Sequence, residues 1–219
     1  MFQGVKKKAL LFSFVFISPL LIYTGCEISL EFKAKKIVSF LEHQEQNIIN
    51  NKFNRALWIY LTDDKEMVIK EITLLSIALK TIKAIANPGM GISRDSDNVV
   101  YIVSRGLIEE GKAKGLHVSL NNWQRTWLAT SIWVSKHWDV DKCLSYLSSH
   151  IYFGYGYHDL SEAASGYFSK QPEELSIDEI CMLVTATISK LYDIREKDGR
   201  VLRKTEDIKN LILNSKSWK

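Results

Sequence analysis

Two groups of acids stand close together in this chain, Asp63-Asp64 and Asp95 with Asp97. Two carboxylates about 5 to 9.5 Å apart across a cleft can do the acid and base work of glycoside hydrolysis. Spacing along the chain does not say whether the two groups converge. Asp63-Asp64 equally suit the first turn of a helix, where the helix dipole favours negative charge. Arg94, Arg105, Lys112, Lys114 and Arg125 can line a phosphate-binding cleft, although scattered basic residues are by default solvated. His43, His117, His137, His150 and His158 have no metal-ligand spacing, and no metal site is expected. His158 alone sits in a distinctive setting, a turn rich in glycine and aromatic residues. Cys143 and Cys181 fall on apolar helical stripes and read as buried thiols; their spacing fits no zinc site. Asn87-Pro88-Gly89-Met90-Gly91 is a helix stop and not a nucleotide loop, because no Gly-Lys-Ser/Thr follows a strand.

The elements that would carry these residues are helical. Glu27 to about Asn54 has a helical pattern, with Phe32, Ile37, Val38 and Leu41 apolar. Phe53 to Leu61 is apolar and aromatic, and Thr62-Asp63-Asp64-Lys65 breaks it. A long helix is expected from Met67 to Ala86, then a polar loop from Ser93 to Asn98 and a short helix from Val99 to Leu107. Glu109 to Leu120 is charged and contains glycine, so a surface loop is expected there. Trp123 to Trp138 reads as a helix with an aromatic stripe in which Trp127 is core. Asp139 opens the next helix, and the last runs from about Asp198 to Leu213. No internal repeat or low-complexity segment interrupts this order.

With 219 residues, 46% of them hydrophobic and 25% charged, the chain can bury one sizeable core and is not disordered. A formal charge of +4 suits an anionic membrane surface or an anionic lipid-linked substrate and does not call for nucleic acid. Residues 1–29 read as a leader outside the fold. Lys6-Lys7-Lys8 precede an uncharged run from Ala9 to Cys26, at the short end of the about 20 apolar residues that span a bilayer. Lysines before the run place the N-terminus in the cytoplasm and the rest outside. The leader is an uncleaved anchor or a signal peptide. Thr24-Gly25-Cys26 resembles the end of a bacterial lipobox, which makes a lipoprotein anchored through Cys26 a further reading.

Ile151 to Glu179 reads IYFGYGYHDLSEAASGYFSKQPEELSIDE. Gly154 and Gly156 beside aromatics suggest a tight turn with φ > 0. A short helix begins near Ser161 and carries Ala163, Ala164, Tyr167 and Phe168, small residues beside a ring pair expected to be buried. Ser176-Ile177-Asp178-Glu179 is a capping box opening a helix with Ile177, Ile180, Cys181, Val184, Ile188 and Leu191 on one stripe. The order and spacing of Tyr152, Phe153, Gly154, Gly156, Ala163, Ala164, Tyr167, Phe168, Lys170, Glu174, Leu175 and Glu179 resemble glycosyltransferase family 51. That family is the peptidoglycan transglycosylase module of penicillin-binding proteins and monofunctional transglycosylases. The resemblance covers roughly Asp139 to Leu213 and is faint upstream.

The resemblance implies an all-α, lysozyme-like domain over residues 55–219, a connecting helix over 30–54 and the leader over 1–29. It also implies sugar transfer from a lipid diphosphate donor, with one glutamate as general base, a second glutamate, and a Gly-Gly-Ser-Thr loop, followed by paired glutamines, that grips the phosphates beside Lys, Arg and a divalent metal. Carried over by spacing, the base falls at Asp63, one methylene short, with Asp64 as its partner. The loop serine falls at Ser96. Both glycines are gone, and Asp95 and Asp97 put acids where a pyrophosphate would lie. The glutamines fall at Val100 and Tyr101, which cannot replace their hydrogen bonding. The second glutamate aligns with Trp127, and no Asp or Glu occurs anywhere from Gly111 to Trp138. Ser145, the run Leu147-Ser148-Ser149, and Asp159 are further departures.

Residues expected to hold the fold are present, and residues expected to do the chemistry are not. The reading is a degenerate, pseudoenzyme-like glycosyltransferase domain on the outer side of a bacterial cytoplasmic membrane. Its expected partners are the membrane, lipid II or glycan strands, and cell-wall synthesis proteins. Arg94, Ser96, Arg105, Arg125 and Lys170 are the candidate substrate-binding residues. The alternatives are an active transferase with Asp63 as base and Mg or Mn as cofactor, and a muramidase-like hydrolase pairing Asp63 or Asp64 with Asp95 or Asp97.

Overall fold

A computed structural model describes residues 22–39, 41, 51–62, 66–88, 94–116, 122–188, 194 and 199–215. All regular structure among them is helical; Gly154 and Tyr157 form an isolated antiparallel bridge. We number the helices α1 (residues 22–39), α2 (Asn51–Leu61), α3 (Leu74–Ala86), α4 (Ser96–Ala113), α5 (Trp123–His137), α6 (Val140–His150), α7 (Leu160–Phe168), α8 (Ile177–Ile188) and α9 (Gly199–Asn214). A 3-10 turn, Pro172–Glu174, precedes α8.

Helix α2 runs through the centre and packs against α4, α6, α8 and α9. Its Phe53, Ala56, Leu57 and Trp58 are fully buried. Around it, α4 pairs with α5 and α8 with α9. The second pair closes over Cys181, Val184, Val201 and Ile208, with the Thr185 and Thr205 hydroxyls 3.2 Å apart between them. Cys143 and Cys181 are free and buried, and burial pushes both thiols up to about 12.

Most helix starts follow from side chains that take up orphan backbone donors. Asp139 accepts from Lys142 N (2.8 Å) and Asp159 from Glu162 N (2.8 Å). Ser176 and Glu179 exchange the two bonds of the expected capping box, at 3.3 and 2.7 Å. The Lys170 ammonium sits 2.7 Å from Glu179 and ties the end of α7 to the start of α8. Burial raises the Glu179 carboxyl, but Lys170 and the Ser176 donors outweigh it and hold the group below its ordinary value. The glycine turn also forms as read: Gly154, Tyr155 and Gly156 have φ of 91°, 53° and 86°. A Cβ on Gly154 would meet the Tyr167 hydroxyl, which donates to Phe153 O across 2.9 Å. Tyr167 and Phe168 are half-buried where burial was expected.

Three expectations about the elements are corrected. The helix expected from Met67 starts at Leu74, and residues 66–73 are irregular. Lys70 N donates to Ser96 Oγ (3.2 Å) and Ile72 N to Ser135 Oγ (2.9 Å), so distant side chains satisfy this backbone. Thr73 then caps α3 in a reciprocal pair with Ser76. The loop expected from Glu109 begins later, because α4 continues to Ala113 on the ion pairs Lys112–Glu109 and Lys114–Glu110. It ends at Gly115 (φ 95°), with Leu116 N bonded to Gly111 O and Gly115 N to Lys112 O. The third correction concerns Ser96, Asp97 and Asn98, which were placed in a loop and form the first turn of α4.

Residues 1–21 of the leader lie outside the described residues, and residues 22–29 begin α1. Glu27 accepts from the Tyr23 hydroxyl (2.7 Å) and from Leu74 N (3.3 Å), and Lys136 pairs with Glu27 and Glu31. The boundary read at residue 29 therefore falls inside a helix already bonded to α3 and α5. Ala34, Ile37 and Val38 of the connecting segment are buried. Among the described residues no helix is long and apolar enough to cross a membrane.

Candidate functional site

The site expected around the loop serine forms where the N-terminus of α4 meets α3 and α5. Asp95 is the N-cap of α4, accepting from Asp97 N at 3.2 Å. Ser96 is fully buried and accepts from Lys70 N. Asp97, in the first turn, is also buried. Lys80 reaches across from α3 to both acids: its Nζ lies 2.8 Å from Asp95 Oδ2 and donates a short hydrogen bond to Asp97 Oδ2. Burial raises the Asp97 carboxyl above its ordinary value, the Asp95 charge adds to this, and Lys80 and Lys70 oppose it. Burial lowers the Lys80 ammonium, but its two carboxylate bonds outweigh that and leave it raised.

Beside this group stands a wall of aromatic rings. Trp127 of α5 packs on Tyr101 of α4, ring centroids 4.9 Å apart, and stacks on Trp123 at 5.9 Å. Its indole N–H donates to Tyr101 O across 3.0 Å. Trp127 is half-buried, more open than its core reading. Trp127 and Tyr101 are thus locked to each other by a side-chain-to-backbone hydrogen bond. The Tyr101 hydroxyl is raised by burial and by Asp97.

The remaining candidates are dispersed. Asp63 and Asp64 lie outside the described residues. Arg94 donates a short hydrogen bond to Tyr60 O and lies 5.5 Å over the Tyr60 ring. Asn98 Nδ2 bonds Leu61 O at 3.3 Å. Together they satisfy carbonyls at the C-terminal end of α2. Arg105 is exposed on the outer side of α4, two turns beyond Asp97, and Arg125 is exposed in the first turn of α5. Lys170 is engaged with Glu179 between α7 and α8. His158 is exposed, its ring 5.1 Å from that of Tyr152, and its backbone N–H donates to Glu162 Oε2.

The residue that sequence reasoning missed is Lys80. It sits in an apolar helix whose Leu75, Leu79, Ile82 and Ile85 are exposed, and its partners lie 15 and 17 residues away, a spacing no local motif describes. Asp95 and Asp97 each give an oxygen to the Lys80 ammonium, which neutralises them where a divalent cation would have to bind, so this donor set does not fit the family's metal as it stands. No group of three or more His, Cys, Asp or Glu among the described residues is arranged to hold one.

No curated protein matches the chain. The model of the transglycosylase family matches residues 118–215, from just before α5 to the end of α9, and leaves Lys80, Asp95 and Asp97 N-terminal to the match. Residues 118–215 carry the pattern of the transglycosylase family, the glycosyltransferase family 51 that the run of aromatics and glycines resembles.

Proposed function

We propose that this protein is a degenerate peptidoglycan glycosyltransferase-like domain of lysozyme-like architecture. It is held at the outer face of a bacterial cytoplasmic membrane and serves cell-wall assembly by holding glycan or lipid-linked precursor, not by polymerising it. One observation carries this reading: the indole of Trp127, where the family's second acid falls by spacing, is bonded to the Tyr101 carbonyl. The α5 helix thus offers a ring where proton transfer or charge stabilisation would need a carboxylate.

The test is lipid II polymerisation by the full-length chain in detergent with magnesium or manganese, alongside Asp63→Asn. No glycan chains are expected from either protein. Chains from the wild type that vanish in Asp63→Asn would replace this proposal with an active transferase running on Asp63.

The exposed apolar residues of α3 and α1 support a seat against lipid. Leu75, Leu79, Ile82 and Ile85 lie along α3, and Ile22, Ile28 and Phe32 along α1. The two helices meet where Glu27 receives the Leu74 N–H. Aliphatic side chains in this number are costly in water, at about 25 cal/mol per Å². Leu79→Glu with Ile82→Glu is expected to cut co-sedimentation of the protein with vesicles of an anionic bacterial lipid mixture by about fivefold or more, while helical content is unchanged. Equal co-sedimentation of variant and wild type would remove α3 from the membrane seat.

A further inference from the structure

The turn between α6 and α7 exposes a ring where neither backbone nor burial calls for one. Tyr155 has a φ of 53°, a left-handed value that suits glycine or asparagine and is costly for a bulky side chain. It is 52% exposed, so core packing does not account for a tyrosine there either. Its ring is nonetheless ordered by neighbours. It meets Tyr167 edge to face, centroids 6.4 Å apart, and Tyr157 meets the same ring in the same manner at 5.1 Å. Tyr157 lies against the backbone of α7, where a Cβ on Gly166 would collide with it, and the Tyr167 hydroxyl is fixed on Phe153 O. Tyr152, 36% exposed, adds a ring 5.1 Å from that of His158. The charge of this stretch sets it apart from the rest of the chain. No Lys or Arg occurs from Cys143 to Ser169, although the whole chain carries +4. An anionic lipid surface or another polyanion would find no cation supplied by this segment. Its two acids are already engaged at the start of α7: Asp159 Oδ1 accepts from Glu162 N and Glu162 Oε2 from His158 N, both at 2.8 Å. A cationic partner would have to share them, whereas a neutral ligand needs only rings and hydroxyls.

We propose that this turn is a platform for a neutral glycan strand, separate from the candidate site at α3, α4 and α5, with Tyr155 as its principal stacking residue, supported by Tyr152 and His158. A pyranose ring offers an apolar C–H face to an aromatic ring and holds its hydroxyls out to the side. The Tyr152 and Tyr155 hydroxyls and the His158 imidazole can meet those hydroxyls. Tyrosine gives such a contact at small entropic cost, because only two side-chain angles must be fixed. The platform stands apart from the other site in the fold: α7 packs on the Pro172–Glu174 turn, whereas α4 pairs with α5. The choice of a sugar among neutral ligands rests on the transglycosylase-like reading above. The exposure, backbone conformation and charge of the turn do not.

The experiment is calorimetric titration of the full chain, in detergent, with the soluble β-1,4-linked pentamer of N-acetylglucosamine. Tyr155→Asn is the main variant, because asparagine adopts the left-handed backbone readily and the turn keeps its shape. Its affinity for the pentamer is expected to fall about tenfold or more, with the thermal unfolding midpoint unchanged. Tyr155→Gly, which that φ suits best, should show the same loss and guards against a local effect of asparagine. Tyr155→Phe keeps the ring and is expected to stay within about twofold of the wild type. No binding by the wild type, or equal binding by wild type and Tyr155→Asn, overturns the proposal. So does a loss in Trp127→Ala with none in Tyr155→Asn, which would seat the strand on the aromatic wall of α4 and α5. An oligolysine peptide is the second arm. Peptide binding that Tyr155→Asn removes, with no pentamer bound, would replace the glycan by a basic protein segment. Lipid II polymerisation by the wild type would sink the proposed function without deciding this, because the titration reads binding at the turn whether or not sugar is transferred.

Discussion

Trp58→Ala is expected to cost about 3–5 kcal/mol of stability, the largest loss from any single truncation in this chain. Trp58 is fully buried on α2. That helix packs against α4, α6, α8 and α9, so a cavity there opens onto contacts of several helices at once. No single neighbour can move to fill it without leaving another. Domains of this size are stable by about 5–15 kcal/mol in total, so the loss is a large share of the whole. Urea denaturation followed by helical circular dichroism measures it. Trp127→Ala is the control: that ring is half-buried, and its loss should cost clearly less. Equal losses at the two positions would mean that α2 is not the centre of the core.

Local signals in the sequence found local structure. The Ser176–Glu179 box, the Asp139 cap and the 154–156 turn depend on residues within four positions of each other, and each forms as read. The whole of α5 was legible from its stripe. Residues 66–73 were not, because their apolar spacing suits a helix as well as an irregular run. What decides between them is Ser96 and Ser135, 26 and 63 residues away, which take the Lys70 and Ile72 N–H groups. The end of α4 was misread because a charged stretch with a glycine looks like a loop, whereas its charges pair at helical spacing and the helix ends on a different glycine, Gly115. At the candidate site, the absence of any Asp or Glu from Gly111 to Trp138 was visible without structure. The capture of Asp95 and Asp97 by Lys80 was not, since the lysine lies 15 and 17 residues before them and only the folded chain brings the three together.

Lys80→Met is the second large effect, and its size should depend on pH. A lysine 47% exposed would by itself contribute little, about 0–1 kcal/mol, as surface pairs do. The Asp97 carboxylate beside it is only 7% exposed, and Asp95 adds a like charge nearby. Removing the ammonium leaves that buried charge without Lys80, while methionine keeps most of the aliphatic stem. The expected cost is about 1–3 kcal/mol at pH 7, discounted from a fully buried pair for the exposure of the lysine. Burial already raises the Asp97 carboxyl above 3.8, and Lys80 and Lys70 pull it back. Without Lys80 it rises further. A carboxyl raised on folding binds its proton more tightly in the native state, so stability falls as pH climbs from the unfolded value through the folded one. Below about pH 4 the penalty is absent in both proteins, and by pH 7 it is complete in the variant. Urea denaturation at pH 4 and pH 7 should therefore show a gap between wild type and Lys80→Met that widens with pH. Adding Asp97→Asn to Lys80→Met should close most of the gap at pH 7, because the charge that needed the lysine is gone. A gap of the same size at both pH values, untouched by Asp97→Asn, would mean that Lys80 acts through its stem and that the acids of α4 do not depend on it.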